Sequence, residues 1–153
     1  MIDMKQLIEK FKAKLLEEEG NSLYKNESVR NIVNRVFVEE FAKIFESIVN
    51  EINNKLNIKL LSYQLEGKSR FIVEGRYHRI YFQKGKIDQN DEVIQLNIIP
   101  ICVWKGVTKH LGPICAYINQ ETLQIKWDIP FENPEIYAMD VFNKLVDDTD
   151  FSM

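Results

Sequence analysis

Cysteine, histidine, proline and glycine are scarce in this chain, at 2, 2, 4 and 6 of 153 residues, and each shortage removes a class of explanation. Two cysteines, Cys102 and Cys115, cannot form a disulfide scaffold, and both fall in apolar, strand-like segments where a free, buried thiol is expected. The only histidines are His78 and His110, and neither lies near a recognisable nucleophile motif, so acyl-transfer chemistry has no visible machinery. None of the six glycines is spaced to let backbone N–H groups cradle a phosphate ahead of a helix. No apolar run approaches the roughly 20 residues needed to span a bilayer, and the start of the chain has no secretory pattern. The expectation is a cytoplasmic protein with no membrane association. A formal charge of only -3 argues against a wholly basic nucleic-acid binder, while leaving room for a local basic patch.

What is present is patterned. Asp3 with Gln6 three residues on forms a capping box, and Met4, Leu7, Ile8, Phe11 and Leu15 follow at helical spacing up to a stop at Glu19-Gly20-Asn21. After a polar link through Tyr24-Lys25-Asn26, a second and longer stripe runs from about Ser28 to Leu56 and includes Val33, Phe37, Phe41, Phe45 and Val49. At 1.5 Å per residue that helix would be about 40 Å long, so one end could project and offer Phe37 or Phe41 to a partner or to a second copy.

From Asn57 the period becomes two. Leu61, Tyr63 and Leu65 alternate with polar residues up to Gly67-Lys68, Phe71-Ile72-Val73 runs into Gly75, and Tyr77 through Phe82 follows. Gly85 to Asp91 reads as a polar loop, and Val93 to Trp104 as the most apolar strand. Lys105-Gly106 is a tight turn; with Trp104 facing Val107, the strand breakers Pro100 and Gly112-Pro113 become neighbours, and the hairpin should bend there. Leu123 to Ile129 alternates cleanly, Asn133-Pro134 opens a last helix, and the acidic tail 147–153 is expected to fray. The order predicts one α+β domain over residues 1–153: two N-terminal helices, the second long, an antiparallel meander of five or six strands, and a C-terminal helix.

Two metal arrangements can be weighed. Cys102, Cys115, His78 and His110 would make a tetrahedral shell only if both strand cysteines shared a face, and their spacing is not that of a zinc finger or ribbon. Asp91-Glu92 with Gln124-Ile125-Lys126 resembles a nuclease carboxylate set in outline, but an amide stands where the second carboxylate is needed. No metal and no cofactor is expected, and the balance is against an enzyme.

The segment from Lys68 to Lys86 carries six bases against the single acid Glu74 and interleaves them with aromatic residues. Arg70, Arg76, Tyr77, Arg79, Tyr81 and Lys84 are the candidate binding residues, and alternation puts Tyr77, Arg79 and Tyr81 on one face. Three functions are compatible with this pattern. The favoured one is a non-enzymatic module that binds another protein, or itself, through the Arg/Tyr face or the long helix. Binding of nucleic acid or an anionic ligand through residues 68–86 is the second. The third is a pocket near the bent hairpin 98–113 with His78, Trp104 and His110 on its walls.

Overall fold

The capping box at Asp3 opens the first helix: the Gln6 N–H donates to Asp3 Oδ1 at 2.8 Å, and the Asp3 N–H donates to Gln6 Oε1 at 3.2 Å. The fold is a computed structural model that describes the backbone of residues 2–151 and the side chains of 2–13 and 27–151. The Leu15 side chain, Ser152 and Met153 lie outside the described residues. Helix α1 (Met4–Arg35) passes through Gly20-Asn21 and Tyr24-Lys25-Asn26, where the sequence predicts a stop and a link. It gives way to a π-helical segment (Val36–Ala42) and then to α2 (Lys43–Leu56). The chain divides into two units, Met1–Ile32 and Val33–Met153, and the second carries the whole sheet.

Within the second unit, α2 ends in a left-handed turn at Asn57, with φ of 56°. Asn53 then ties the helix to the first strand, since its Oδ1 accepts from the N–H groups of Leu60 and Leu61 and its Nδ2 donates to the Leu61 carbonyl. Seven strands follow: β1 (Ser62–Glu66), β2 (Arg70–Glu74), β3 (His78–Gln89), β4 (Val93–Trp104), β5 (Val107–His110), β6 (Ile114–Asn119) and β7 (Ile125–Asp128). All pair antiparallel in the order β1-β2-β3-β4-β6-β7, and β5 pairs β4 beyond the end of β6. Asn133 caps α3 (Pro134–Leu145) by accepting from the N–H groups of Glu135 and Ile136.

The fold class is the expected α+β arrangement, with local differences that have physical causes. Trp104 does face Val107 across the Lys105-Gly106 turn, whose φ values of 49° and 77° suit a tight hairpin. Beyond the breakers the register slips by one, so that Ile98 faces Ile114 rather than Pro113, and one expected strand becomes β5 and β6. The expected polar loop from Gly85 is strand instead. A bulge between Lys84 and Ile87 lets β3 continue to Gln89 along β4, and Gly85 suits it because a Cβ there would lie 3.2 Å from Ile99 Cδ1 and 3.3 Å from the Asn97 carbonyl oxygen.

The core lies between one face of the sheet and the helices. Phe37, Phe41 and Phe45 are fully buried against Phe71 and Phe82 with ring centroids 4.7–5.7 Å apart, so Phe37 and Phe41 do not project as a partner surface. Tyr137 and Phe142 of α3 close the cluster from the other side. The Tyr137 hydroxyl is buried with no hydrogen-bond partner among the described residues, and burial raises its pKa. Removing an unpaired buried hydroxyl recovers its desolvation cost, so Tyr137→Phe is expected to leave stability unchanged or raise it by up to about 1 kcal/mol. A urea midpoint lowered by the variant would show that the oxygen has a partner after all.

The acidic tail departs most from expectation. Phe151 is 2% exposed, the His78 Nε2–H donates to the Thr149 carbonyl at 2.6 Å, and the Trp104 Nε1–H donates to Asp148 Oδ1 at 2.8 Å. Lys105 and Lys109 add ion pairs to Asp148 and Asp150. The described part of the tail is docked on the sheet rather than frayed, because strand side chains remote in sequence supply its partners. Among the described residues no helix is long and apolar enough to cross a membrane.

Candidate functional site

Alternation along β3 sends His78, Ile80 and Phe82 into the buried side of the sheet and Arg79 and Tyr81 to the opposite, more exposed face. Antiparallel pairing then assembles that outer face row by row. Tyr81 stands between Ile72 and Ile101, with His110 beyond; Arg79 stands between Glu74 and Val103; Gln83 stands between Arg70 and Ile99.

Tyr81 is held by two arginines. The Arg70 guanidinium lies over its ring, 5.2 Å from the centroid, and Arg79 Nη1 donates to its hydroxyl at 3.2 Å. Each arginine also has an acid: Arg79 Nη2 donates to Glu74 at 3.2 Å, and Arg70 Nε pairs with Glu66. The hydrogen bond to Tyr81, followed by that to Glu74, raises the pKa of Arg79, and the bond to Glu66 raises that of Arg70, so both stay charged. Two bases and two acids leave this patch without net charge. Around it, Ile72, Ile99, Ile101 and Val103 are only half-buried.

The other candidates are dispersed. Arg76 lies over the ring of Tyr77, 5.6 Å from its centroid, and both are exposed in the turn between β2 and β3. Lys84 projects to the helix side, donating to Asn34 Oδ1 at 2.6 Å, and does not join the arginines. His78 and Trp104 do meet, with rings 6.2 Å apart and 14° from parallel, but Phe151 and the Thr149 carbonyl fill the space over His78. His110 is exposed on the outer face, so the two histidines do not share a pocket.

The cysteines are divided in the same way. Cys102 shares the helix-facing side of β4 with Ile98, whereas Cys115 faces Asn97 on the outer side and its thiol donates to Asp128 Oδ2 at 3.7 Å. The four-residue shell of Cys102, Cys115, His78 and His110 is therefore not assembled. Burial pushes the Cys102 thiol up to about 11 and also raises Cys115, which keeps both protonated and poor nucleophiles at neutral pH.

Two features went unread in the sequence. The first is the aliphatic surround of Tyr81, for which the signal at Ile99, Ile101 and Val103 was the unbroken run Ile98-Ile99-Pro100-Ile101-Cys102-Val103-Trp104, apolar on both faces of its strand. The second is a groove of about 590 Å³ between α2 and α3, lined by Ile48, Ile52, Leu56, Met139, Phe142 and Val146. Its signal was a surplus: Ile136, Met139 and Val146 are exposed and lie outside the buried stripe of α3.

No protein-family model, curated protein or solved structure matches this chain.

Proposed function

We propose that this chain is a non-enzymatic cytoplasmic module that binds another protein through the outer face of its sheet, with Tyr81 at the centre and Arg70 and Arg79 beside it. The observation that carries this reading is the company those residues keep. A face built for polyanions would leave its bases free, whereas here Glu66 and Glu74 already neutralise both arginines. Half-buried Ile72, Ile99, Ile101 and Val103 around an oriented tyrosine instead supply apolar area with fixed polar groups at its edge. That composition suits a protein interface, in which tyrosine and arginine anchors carry most of the binding energy.

The test is affinity capture on immobilised wild type and Tyr81→Ala, with the bound proteins quantified by mass spectrometry. Loss of a central tyrosine anchor is worth about 2 kcal/mol or more, so a specific partner should fall by roughly thirtyfold with the variant. Equal recovery by both forms would sink the proposal. Retention of oligonucleotides at low salt, lost steeply as salt rises, would move the assignment to the nucleic-acid alternative.

A further inference from the structure

One end of the sheet holds a segment of the chain itself in the manner of a bound peptide. His78, Trp104 and Val107 lie opposite one another on β3, β4 and β5 and share a face, and Ile80, Cys102 and Lys109 form the next row. Residues 148–151 meet this end of the sheet at four consecutive positions. Asp148 accepts from the Trp104 Nε1–H at 2.8 Å and pairs with Lys105 at 3.3 Å. Thr149 contributes its backbone carbonyl, which accepts from the His78 Nε2–H at 2.6 Å. Asp150 pairs with Lys109 at 3.6 Å, and Phe151, 2% exposed, lies against the His78 ring and the Lys144 ammonium. Side chains are read at three positions and only the backbone at the other, so the pattern selected is Asp-x-Asp-Phe.

Two features separate this contact from ordinary packing. The segment does not use all that the site offers: His78 Nδ1 is buried with no hydrogen-bond partner among the described residues, and Val107 stays 61% exposed in the same row. The polar anchors are also reserved for it, because among the described residues Lys105 and Lys109 pair with no acid outside the tail. Release of the segment leaves two bases and an indole N–H without a counterpart, which only an acidic occupant restores. We propose that this end of the sheet is a binding site for an Asp-x-Asp-Phe segment of a partner protein, and that residues 148–151 occupy it as a resident substitute which the partner displaces. Basic side chains beside an aromatic anchor read an acidic motif in just this way. Exposed ion pairs contribute little each, so one ring holds the substitute in place and a competing segment can exchange with it. The site uses neither Tyr81 nor the arginines, so it stands apart from the binding reading above.

The probe is a fluorescein-labelled peptide copying residues 146–151, titrated into the full chain and followed by anisotropy. Phe151→Ala removes the anchor of the resident segment, and Asp148→Lys with Asp150→Lys releases it by changing exposed residues alone, which spares the core. Both chains should bind the peptide with a dissociation constant on the order of 10–100 µM, and binding should return Trp104 fluorescence to its wild-type position. In wild type the resident segment competes at an effective concentration on the order of 1 mM, so the peptide should bind at least about tenfold more weakly. A peptide carrying the Phe151→Ala change should not bind. No binding to either released chain below about 1 mM overturns the proposal, as does equal binding by wild type and the released chains or by the altered peptide. A wild-type dimer in sedimentation velocity that both sets of changes dissolve would make the occupant the same segment of a second copy, and would also overturn it.

Discussion

Replacing Phe41 with alanine should cost about 3–5 kcal/mol of folding stability, the largest loss expected from any single truncation in this chain. Its ring lies 5.2–6.4 Å from those of Phe37, Phe45, Phe71, Phe82, Trp127 and Tyr137, so it joins the π-helical segment, α2, the sheet and α3 at one point. Those six neighbours belong to separate elements, with Phe71, Phe82 and Trp127 held by strand pairing and Phe37, Phe45 and Tyr137 by helices, so they cannot collapse together into the space a methyl group leaves. The cavity penalty then adds to the lost transfer free energy. A domain of this kind is stable by about 5–15 kcal/mol, and the variant forfeits a large share of that. Urea unfolding should show a lower midpoint with an unchanged slope, while Phe11→Ala, at an exposed site, should shift it by less than about 0.5 kcal/mol. A loss below 1 kcal/mol in Phe41→Ala would mean that the cluster is not the centre of the core.

The second large effect lies at the tail. Phe151→Ala should cost about 2–4 kcal/mol and free residues 147–151 from the sheet, because the ring packs edge-on to His78 and beneath the Lys144 ammonium, 5.5 Å from its centroid. Exposed ion pairs such as Lys105–Asp148 and Lys109–Asp150 contribute little each, so they cannot hold the tail once its apolar anchor is gone. The readout is local: the Trp104 indole N–H, which is bonded to Asp148, should exchange with solvent faster in the variant, and Trp104 fluorescence should shift to the red. An unchanged exchange rate would place the anchor elsewhere.

Acid should act on the same contact. The Trp104 hydrogen bond, followed by those with Lys105, holds the Asp148 pKa below its ordinary value. A depressed carboxylate stabilises the fold above its unfolded pKa, and that contribution is lost as pH falls through the folded one. The Trp104–Asp148 contact should therefore persist above the depressed Asp148 pKa and weaken as pH falls through it. In Asp148→Asn, the acid dependence of the Trp104 signal should flatten.

Legibility in the sequence followed the range of the interactions involved. Asp3 with Gln6, Lys105-Gly106 and Asn133-Pro134 were readable because each feature is decided within four residues. The outward direction of Arg79 and Tyr81 was readable because a strand has period two and His78, Ile80 and Phe82 claim the other side. The bulge at Gly85 was not, since it depends on how β3 meets Ile99 and Asn97 in a different strand. Nor was the docking of Phe151, whose partners His78 and Lys144 come together only after the sheet and α3 have formed. The candidate site stands between these cases. Its bases and aromatics were visible as a cluster, but their neutralisation by Glu66 and Glu74 needed the cross-strand register.

The π-helical segment has a consequence for phase. In an uninterrupted α-helix, Val33 and Val49 would sit about 160° apart around the axis, so burying one would turn the other toward solvent. Seven residues wound at roughly 82° each take back about 130° of that rotation and bring the two within about 30°. Both are buried. Deleting one residue at Glu39 or Glu40, which are exposed, would let the segment wind as α-helix, and fifteen steps of about 100° would still leave Val33 and Val49 about 60° apart, on one face. The looser winding absorbs one extra residue while keeping the apolar side chains before and after it on the same side of the helix.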